Sequence, residues 1–408
     1  MTLDSSATSA SPLTEAELSF KFACIWSAKG KFTQAIAGFE KTLELQPDHV
    51  QAAIHLDYIR QQQRWLQAQP NPKPLPDNPN GKLNLGVQKT LVAHRCGWNF
   101  AIHALRSLHN PQGILFDGFL EDSFLWQART SGQKRNPYTQ PWVGFLHNPP
   151  AMPSWFYQQD SPQALFTQAN WQESLKSCVG LFTLSEYFAQ WLRTQVDLPV
   201  SALIYPTEIP ELQFSYDRFL ANPSKKIIQL GWWLRKLASI YQLPIATNNP
   251  LGYQKIKLNP AFTTEAEDQL QQLVAKQIEV EQITLNPVFL ENTQEVNHVS
   301  NQRYDELLSE NIGFIHLYDA SANTALIECI SRATPLLVNP LPAVIEYLGE
   351  EYPLYFNTLA EAAEKAMDLD LIQKTHQYLK ACPTREKLSA EYFAASMQAS
   401  EVYQRIKL

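Results

Sequence analysis

Between Phe314 and Gly349 the chain alternates in a way that few folds accept. An apolar run is followed by a loop of small polar residues, an apolar helix, a second apolar run, a proline-rich turn and another helical stretch. The loop Asp319-Ala320-Ser321-Ala322-Asn323-Thr324 opens directly into Ala325–Ile330. A strand that feeds such a loop and a helix N-terminus offers free backbone N–H groups and the positive end of the helix dipole to an anion. Glu328 falls about one turn into that helix, within reach of a polar group on the same ligand. The pattern predicts a pocket for a nucleotide sugar.

The rest of the chain can carry such a pocket. Its 408 residues predict two or three domains. From Lys82 onward, strand-like and helix-like runs alternate, the signal for parallel sheets. Strands are predicted at Leu91–His94, Gly113–Asp117, Trp142–Leu146, Cys178–Thr183 and Ser201–Tyr205. Ser185 is the predicted N-cap of a helix over Glu186–Arg193. A second α/β unit is predicted from Lys225, with a strand to Leu230, a stop at Gly231, and Trp232–Lys236 opening into a helix. Further elements are a strand over Tyr253–Leu258, helices over Ala266–Val280 and Ser300–Ser309, and a strand over Phe314–Leu317. The organisation read from these signals is 1–69 helical, 70–81 linker, 82–222 first Rossmann-like unit, 223–375 second unit and 376–408 C-terminal helices.

The N-terminal stretch differs from the rest. Apolar residues recur at helical spacing, and Pro47 is the only proline over residues 15–69. Ala23, Gly30, Phe32, Ala35, Ile36, Phe39, Leu43, Leu45 and Pro47 resemble one tetratricopeptide repeat, with small residues where two helices approach and Gly30 at the turn. A further helix is predicted over Val50–Gln67, so the chain holds about one and a half repeats, fewer than a free-standing solenoid needs. A helical hairpin packed on the next domain is the plain reading; a surface for a partner or for self-association is the functional one. Five prolines between Gln69 and Gly81 then predict an extended linker.

Net charge is −7, which gives no basic footprint for nucleic acid. No apolar run approaches the ~18 residues of a membrane span, and the polar N-terminus shows no signal-peptide pattern. The five cysteines form no CxxC pair and are read as reduced thiols of a cytoplasmic protein. His94, Cys96, His103 and His109 cluster in sequence without a usual zinc spacing, so no metal is expected. Asp368-Leu369-Asp370 mimics a metal-binding DxD, but follows a helical run with no further ligand beside it.

These signals, taken in order, resemble a GT-B glycosyltransferase of the large bacterial retaining sugar-nucleotide group over about residues 85–360. The residues that carry the resemblance are His147 after a first-unit strand, Leu181–Tyr187 with Ser185 between strand and helix, and the Pro206-Thr207-Glu208 turn. Gly231 with Arg235-Lys236 and the Glu328 helix before Pro335 complete it. The resemblance implies two Rossmann-like units facing a cleft, a nucleoside-diphosphate sugar as donor, and a glycan, lipid-linked or protein acceptor, without metal or cofactor. It places Glu328 on the donor ribose, and Gly231, Arg235, Lys236, Ser321, Asn323 and Thr324 on the diphosphate. His147 falls on the transferred sugar, and Gly97, Trp98 and Asn148 in the acceptor half of the cleft. It also implies a cytoplasmic site of action, with the inner membrane face as a variant.

One departure bears on mechanism. The family usually carries an earlier glutamate that faces the transferred sugar, and the matching position here is Ala320, with Asp319 adjacent as a substitute. Retention with Asp319, or inversion with a base among His147, Asp117, Glu121 and Asp122, both stay open, as does a body that binds without catalysing. A non-catalytic interaction or sugar-nucleotide-sensing protein is therefore the alternative, with a nucleotide-sugar epimerase behind it. Trp232-Trp233 are read as core or as a stacking face for a base, and Glu346 as a helix cap or a donor contact.

Overall fold

The computed structural model describes residues 14–28, 31–53, 55–57, 59–60, 78–86, 97–127, 129, 135–259, 264–297, 299 and 301–407. The strand expected at Leu91–His94, Gly30, Cys96 and most of the proline-rich linker lie outside these residues. The chain divides into two compact units, 1–73 and 74–408.

In the first unit, α1 (Glu15–Ala28) and α2 (Phe32–Leu45) pack side by side. Ala23, Ala35 and Phe39 are fully buried between them. The two helices approach closely at Gly38, where an added Cβ would stand 2.8 Å from the Ala23 Cβ. Residues 50–53, 55–57 and 59–60 are helical, and Ala52, Leu56 and Ile59 close the same small core. This is a helical hairpin with part of a third helix.

The second unit contains two parallel sheets, each with its own run of strands, the two-part α/β architecture expected above. The first sheet is β1 (Leu83–Asn84), β2 (Ile114–Asp117), β3 (Trp142–Phe145), β4 (Cys178–Thr183) and β5 (Val200–Ala202), hydrogen-bonded in that order. The second holds β6 (Lys226–Gln229), β7 (Gln254–Asn259), β8 (Thr293–Asn297), β9 (Ile312–Ile315) and β10 (Leu336–Val338), in the order β10-β9-β6-β7-β8. All pairings within both sheets are parallel. In the second sheet β6 is flanked by β7 on one side and β9 on the other, so connections leave it in opposite directions. Such a switch point opens a crevice beyond the carboxyl ends of the two strands, where open α/β sheets bind ligands.

Several predicted limits shift. The strand expected over Ser201–Tyr205 is Val200–Ala202, and that over Phe314–Leu317 is Ile312–Ile315. Strand pairing fixes both: Leu181–Thr183 take Val200–Ala202 as partners, and β9 aligns with β6 from Ile312. Trp232–Lys236 do not open a helix. Leu234 has φ 55°, and the segment forms a turn whose Arg235 pairs antiparallel with Leu317. Asp368 is a helix cap rather than part of a metal-binding pair: its Oδ1 accepts the Leu371 N–H at the start of Leu369–Ala381.

The C-terminal helices return to the first sheet. An added Cβ at Gly180 in β4 would meet both Val402 methyls at 2.8 Å, and Lys82 Nζ donates to Tyr403 O. The helix Leu369–Ala381 stays with the second sheet through Tyr216 Oη, which donates to Leu369 O. The chain thus crosses between its two α/β halves twice. The four described cysteines are all free thiols. No helix among the described residues is long and apolar enough to cross a membrane.

Candidate functional site

The loops after β6 and β9 face each other across the switch point. They are locked by Lys236 N–H donating to His316 O (2.7 Å) and Tyr318 N–H to Leu234 O (3.0 Å). This brings Arg235 beneath the start of α3, the helix Thr324–Arg332. Asn323 is its N-cap, with Oδ1 accepting from Leu326 N–H (3.1 Å) and from Arg235 Nη2 (3.0 Å). Arg235 also donates to Leu230 O and Trp233 O. Gly231 has φ 72°, and an added Cβ would stand 2.8 Å from Arg235 Nη2. Glycine here therefore serves both a left-handed turn and the room for the guanidinium.

Arg235 is 7% exposed and has no carboxylate partner among the described residues. Burial pushes its pKa down to about 10, which still leaves it charged at neutral pH. A buried cation without a counter-ion is costly unless something anionic completes the site. Ser321 is 1% exposed, and its Oγ has no hydrogen-bond partner. Buried hydroxyls are seldom left unpaired. An uncompensated guanidinium, bonded to the N-cap, and an orphan hydroxyl three residues before the first helical residue thus both lie at the N-terminus of a nine-residue helix. Thr324, the first helical residue, is exposed, and Lys236 lies over the Tyr318 ring at 5.4 Å.

Glu328 is 3% exposed, and its Oε2 accepts from Tyr304 Oη at 2.6 Å. Tyr304 belongs to the helix Asn301–Glu310, which also supplies Asp305 to Arg332 Nη2 at 2.6 Å. Tyr304 and Asp305 carried no sequence signal, because they reach Glu328 and Arg332 only when the two helices pack.

The first sheet contributes a separate group. His147 Nε2 lies 2.9 Å from Gly118 O, its ring stacks on Phe119 at 3.9 Å, and Trp98 meets it edge-on at 4.5 Å. Burial pushes the His147 pKa down to about 4, so the ring is neutral at pH 7. With Nε2–H given to Gly118 O, Nδ1 is an acceptor. Gly97 caps the helix carrying Trp98. Asn148 is held by Glu121 through its backbone N–H and donates Nδ2–H to Asp160 O.

Of the carboxylates expected as alternative bases, none is open to the cleft. Asp117 accepts from Tyr138 Oη and Phe119 N–H, and Asp122 accepts from Gln127. Glu121 is 0% exposed, and its Oε1 receives the backbone N–H groups of His147 and Asn148, both at 2.7 Å. Its place is beneath the loop, shaping it. Burial raises its pKa to about 7 against the pull of those two donors, with Asp117 adding a little. A carboxyl with a raised folded pKa favours the folded state while protonated, and loses that advantage as pH rises from its unfolded value toward about 7. Stability is therefore expected to fall by about 3 kcal/mol between pH 4.5 and 7 from this group. Urea unfolding at pH 5, 6, 7 and 8 should show that slope, and Glu121→Gln should flatten it; parallel curves would remove the assignment.

The second half reaches across to the first at several points. Asp319 Oδ2 accepts from Ala151 N–H (2.7 Å) and Tyr187 Oη (3.3 Å), and Oδ1 from Ala320 N–H. Both oxygens of the residue expected to face the transferred sugar are thus engaged. Glu346 accepts from the backbone N–H groups of Glu186 and Tyr187, capping a first-half helix from the second half. Trp232 and Trp233 pack edge-on to Tyr157 and Phe156. Both are half-buried and pack between the two halves. His316 was missed: it bonds Ser239 Oγ at 2.8 Å, and burial, then Lys236, push its pKa down to about 3. Among the described residues no group of three or more His, Cys, Asp or Glu is arranged to hold a metal. His94 and Cys96 fall outside them, and His109 Nδ1 accepts Leu85 N–H.

No protein-family model and no curated protein matches the chain. Among solved structures it is similar to a UDP-forming α,α-trehalose-phosphate synthase from Burkholderia xenovorans (17% identity, TM-score 0.48, 76% of this chain and 78% of that one). It is similar to another from Burkholderia vietnamiensis (14%, 0.48, 76% and 78%) and to a sucrose-phosphate synthase from Thermosynechococcus elongatus (12%, 0.48, 72% and 73%). The architecture stated above rests on the two strand orders.

Proposed function

We propose that the chain is a glycosyltransferase that takes a sugar from a nucleoside-diphosphate sugar to a glycan, lipid-linked or protein acceptor. The observation that carries this is the buried, uncompensated Arg235 beside the unpartnered Ser321 Oγ at the start of α3. Arg235, with Lys236 at the rim, stabilises the charge that grows on the leaving diphosphate. Gly231 lets the guanidinium close on it, and Ser321, Asn323 and Thr324 cradle the phosphates. Glu328, fixed by Tyr304, receives the ribose hydroxyls. The acceptor hydroxyl attacks the anomeric carbon as the bond to the diphosphate opens, and its proton passes to the departing diphosphate oxygen. His147 offers Nδ1 to a hydroxyl of the transferred sugar, while Gly97, Trp98 and Asn148 form the acceptor wall. Asp319 positions the loop by tying the two halves together. The helical N-terminal hairpin is read as tetratricopeptide-like, with partner docking or self-association as its role. Reduced thiols and a nucleotide-sugar substrate suit a cytoplasmic protein, working at the inner membrane face when the acceptor is lipid-linked.

The second reading, a body that binds a sugar nucleotide without transfer, is favoured by Ala320 and by the full engagement of Asp319. One experiment addresses both. Calorimetry with UDP, GDP, ADP and CMP, and with their sugar conjugates, identifies the nucleotide, and product analysis tests for transfer. Ser321→Ala is the informative variant, because the hydroxyl it removes bonds nothing in the free protein. Its thermal stability should be equal to or above that of the native chain, while nucleotide affinity falls ~5–10-fold. Equal affinity in both would remove Ser321 from the pocket. Binding by no nucleotide would overturn the donor-site reading, and binding without transfer would favour the sensor.

A further inference from the structure

The two chain crossings between the α/β halves run side by side. The outgoing one passes through Ile209–Phe214 and the returning one through Cys382–Ser389, joined where Thr207 N–H donates to Leu388 O at 2.9 Å. Between them, and against the C-terminal end of α3, lies a cavity of about 460 Å³. Ile209, Pro210, Phe214 and Ala333 give it an apolar side, and His376, Lys380 and Arg385 a basic one; no acidic residue lines it.

Part of this basic wall serves the helix end. His376 Nδ1 holds Ala333 O at 2.8 Å, and Arg385 Nη2 donates to Ser331 O (3.0 Å) and Gln213 Oε1 (2.9 Å). Those contacts cap the negative end of α3 and would be a complete account if they used every donor. They do not. Arg385 Nε is buried without a partner, and neither Lys380 nor Arg385 has an ion pair among the described residues. Burial pushes the His376 pKa down against its bond to Ala333 O, with the charges of Lys380 and Arg385 adding a little.

We infer that this cavity is a second binding site, distinct from the crevice at Arg235, and that it takes a small phosphorylated organic molecule. The guanidinium and the Lys380 ammonium meet the phosphate, and the side formed by Ile209, Pro210 and Phe214 meets the organic portion. The volume admits a molecule of about monosaccharide-phosphate to nucleotide size. Because the walls come from both crossings and from the far end of α3, the bound molecule braces those two segments and the helix whose other end is capped by Asn323.

Phenyl phosphate and inorganic phosphate are the probes, titrated by calorimetry into the full chain. Phenyl phosphate is expected to bind at least ~10-fold more tightly than inorganic phosphate, because only it uses the apolar side. Lys380, whose side chain is exposed and bonds nothing among the described residues, is replaced in Lys380→Gln, which should weaken binding ~5-fold without touching stability. Arg385→Gln should weaken it at least ~20-fold. Ser321→Ala should leave it unchanged. Failure of phenyl phosphate to bind, or equal affinity in the native chain and Lys380→Gln, overturns the site. Loss in Ser321→Ala but not in Lys380→Gln would assign the phosphate to the other crevice and overturn this one.

Discussion

Arg235→Ala is expected to lower affinity for the nucleotide that the native chain binds by at least ~100-fold, about 3 kcal/mol. The size follows from the setting. The guanidinium is 7% exposed, carries its charge at neutral pH, and has no carboxylate to share it with. In such a site a phosphate gains nearly the whole charge-assisted interaction, because no internal ion pair must first be broken. The free protein also responds. Leu230 O, Trp233 O and Asn323 Oδ1 lose a donor, so the variant should be less stable by about 1–3 kcal/mol. Arg235→Lys separates the two effects: it keeps the charge and stem but not the planar fork, and should bind ~10-fold more weakly. Calorimetry on the two variants, with near-UV circular dichroism to confirm folding, checks this. Native-like affinity in Arg235→Ala would remove the proposed diphosphate site.

The second large effect is structural. Asp305→Ala should destabilise the chain by about 3 kcal/mol, at the low end for a broken buried ion pair. Asp305 and Arg332 are both buried and lie 2.6 Å apart, joining the helix Asn301–Glu310 to α3. The loss is moderated because the Glu328 carboxylate also favours the charged form of Arg332. Removing both charges, as Asp305→Leu with Arg332→Met, should recover most of the stability, since the desolvation of the pair disappears with it. Denaturant unfolding of the single and double variants measures this. A double variant no better than Asp305→Ala would show that the pair does more than compensate its own burial.

Much of the scaffold was legible in the sequence because it depends on neighbours. Alternating apolar runs marked the strands at 142–145, 178–183 and 226–229, and Ser185 announced its helix through a cap that forms within three residues. Strand limits were less legible, since pairing with a partner strand, not the apolar run, decides where β5 and β9 begin. The turn at Trp232–Lys236 was misread because a left-handed leucine has no sequence signature.

What the sequence by itself determined is the order of elements and the loop before α3, both products of local hydrophobic period and capping. Only the tertiary structure decided what that loop does. Arg235 meets Asn323 across 88 positions, Glu346 caps a helix 160 positions away, and Asp319 is committed to Ala151 across 168. The unpartnered Ser321 hydroxyl and the guanidinium without a counter-ion exist as features only after the groups around them, Asn323 and Asp319 among them, have found their partners. That assignment is a property of the packed chain, because burial sets the cost of leaving a donor or a charge unmatched.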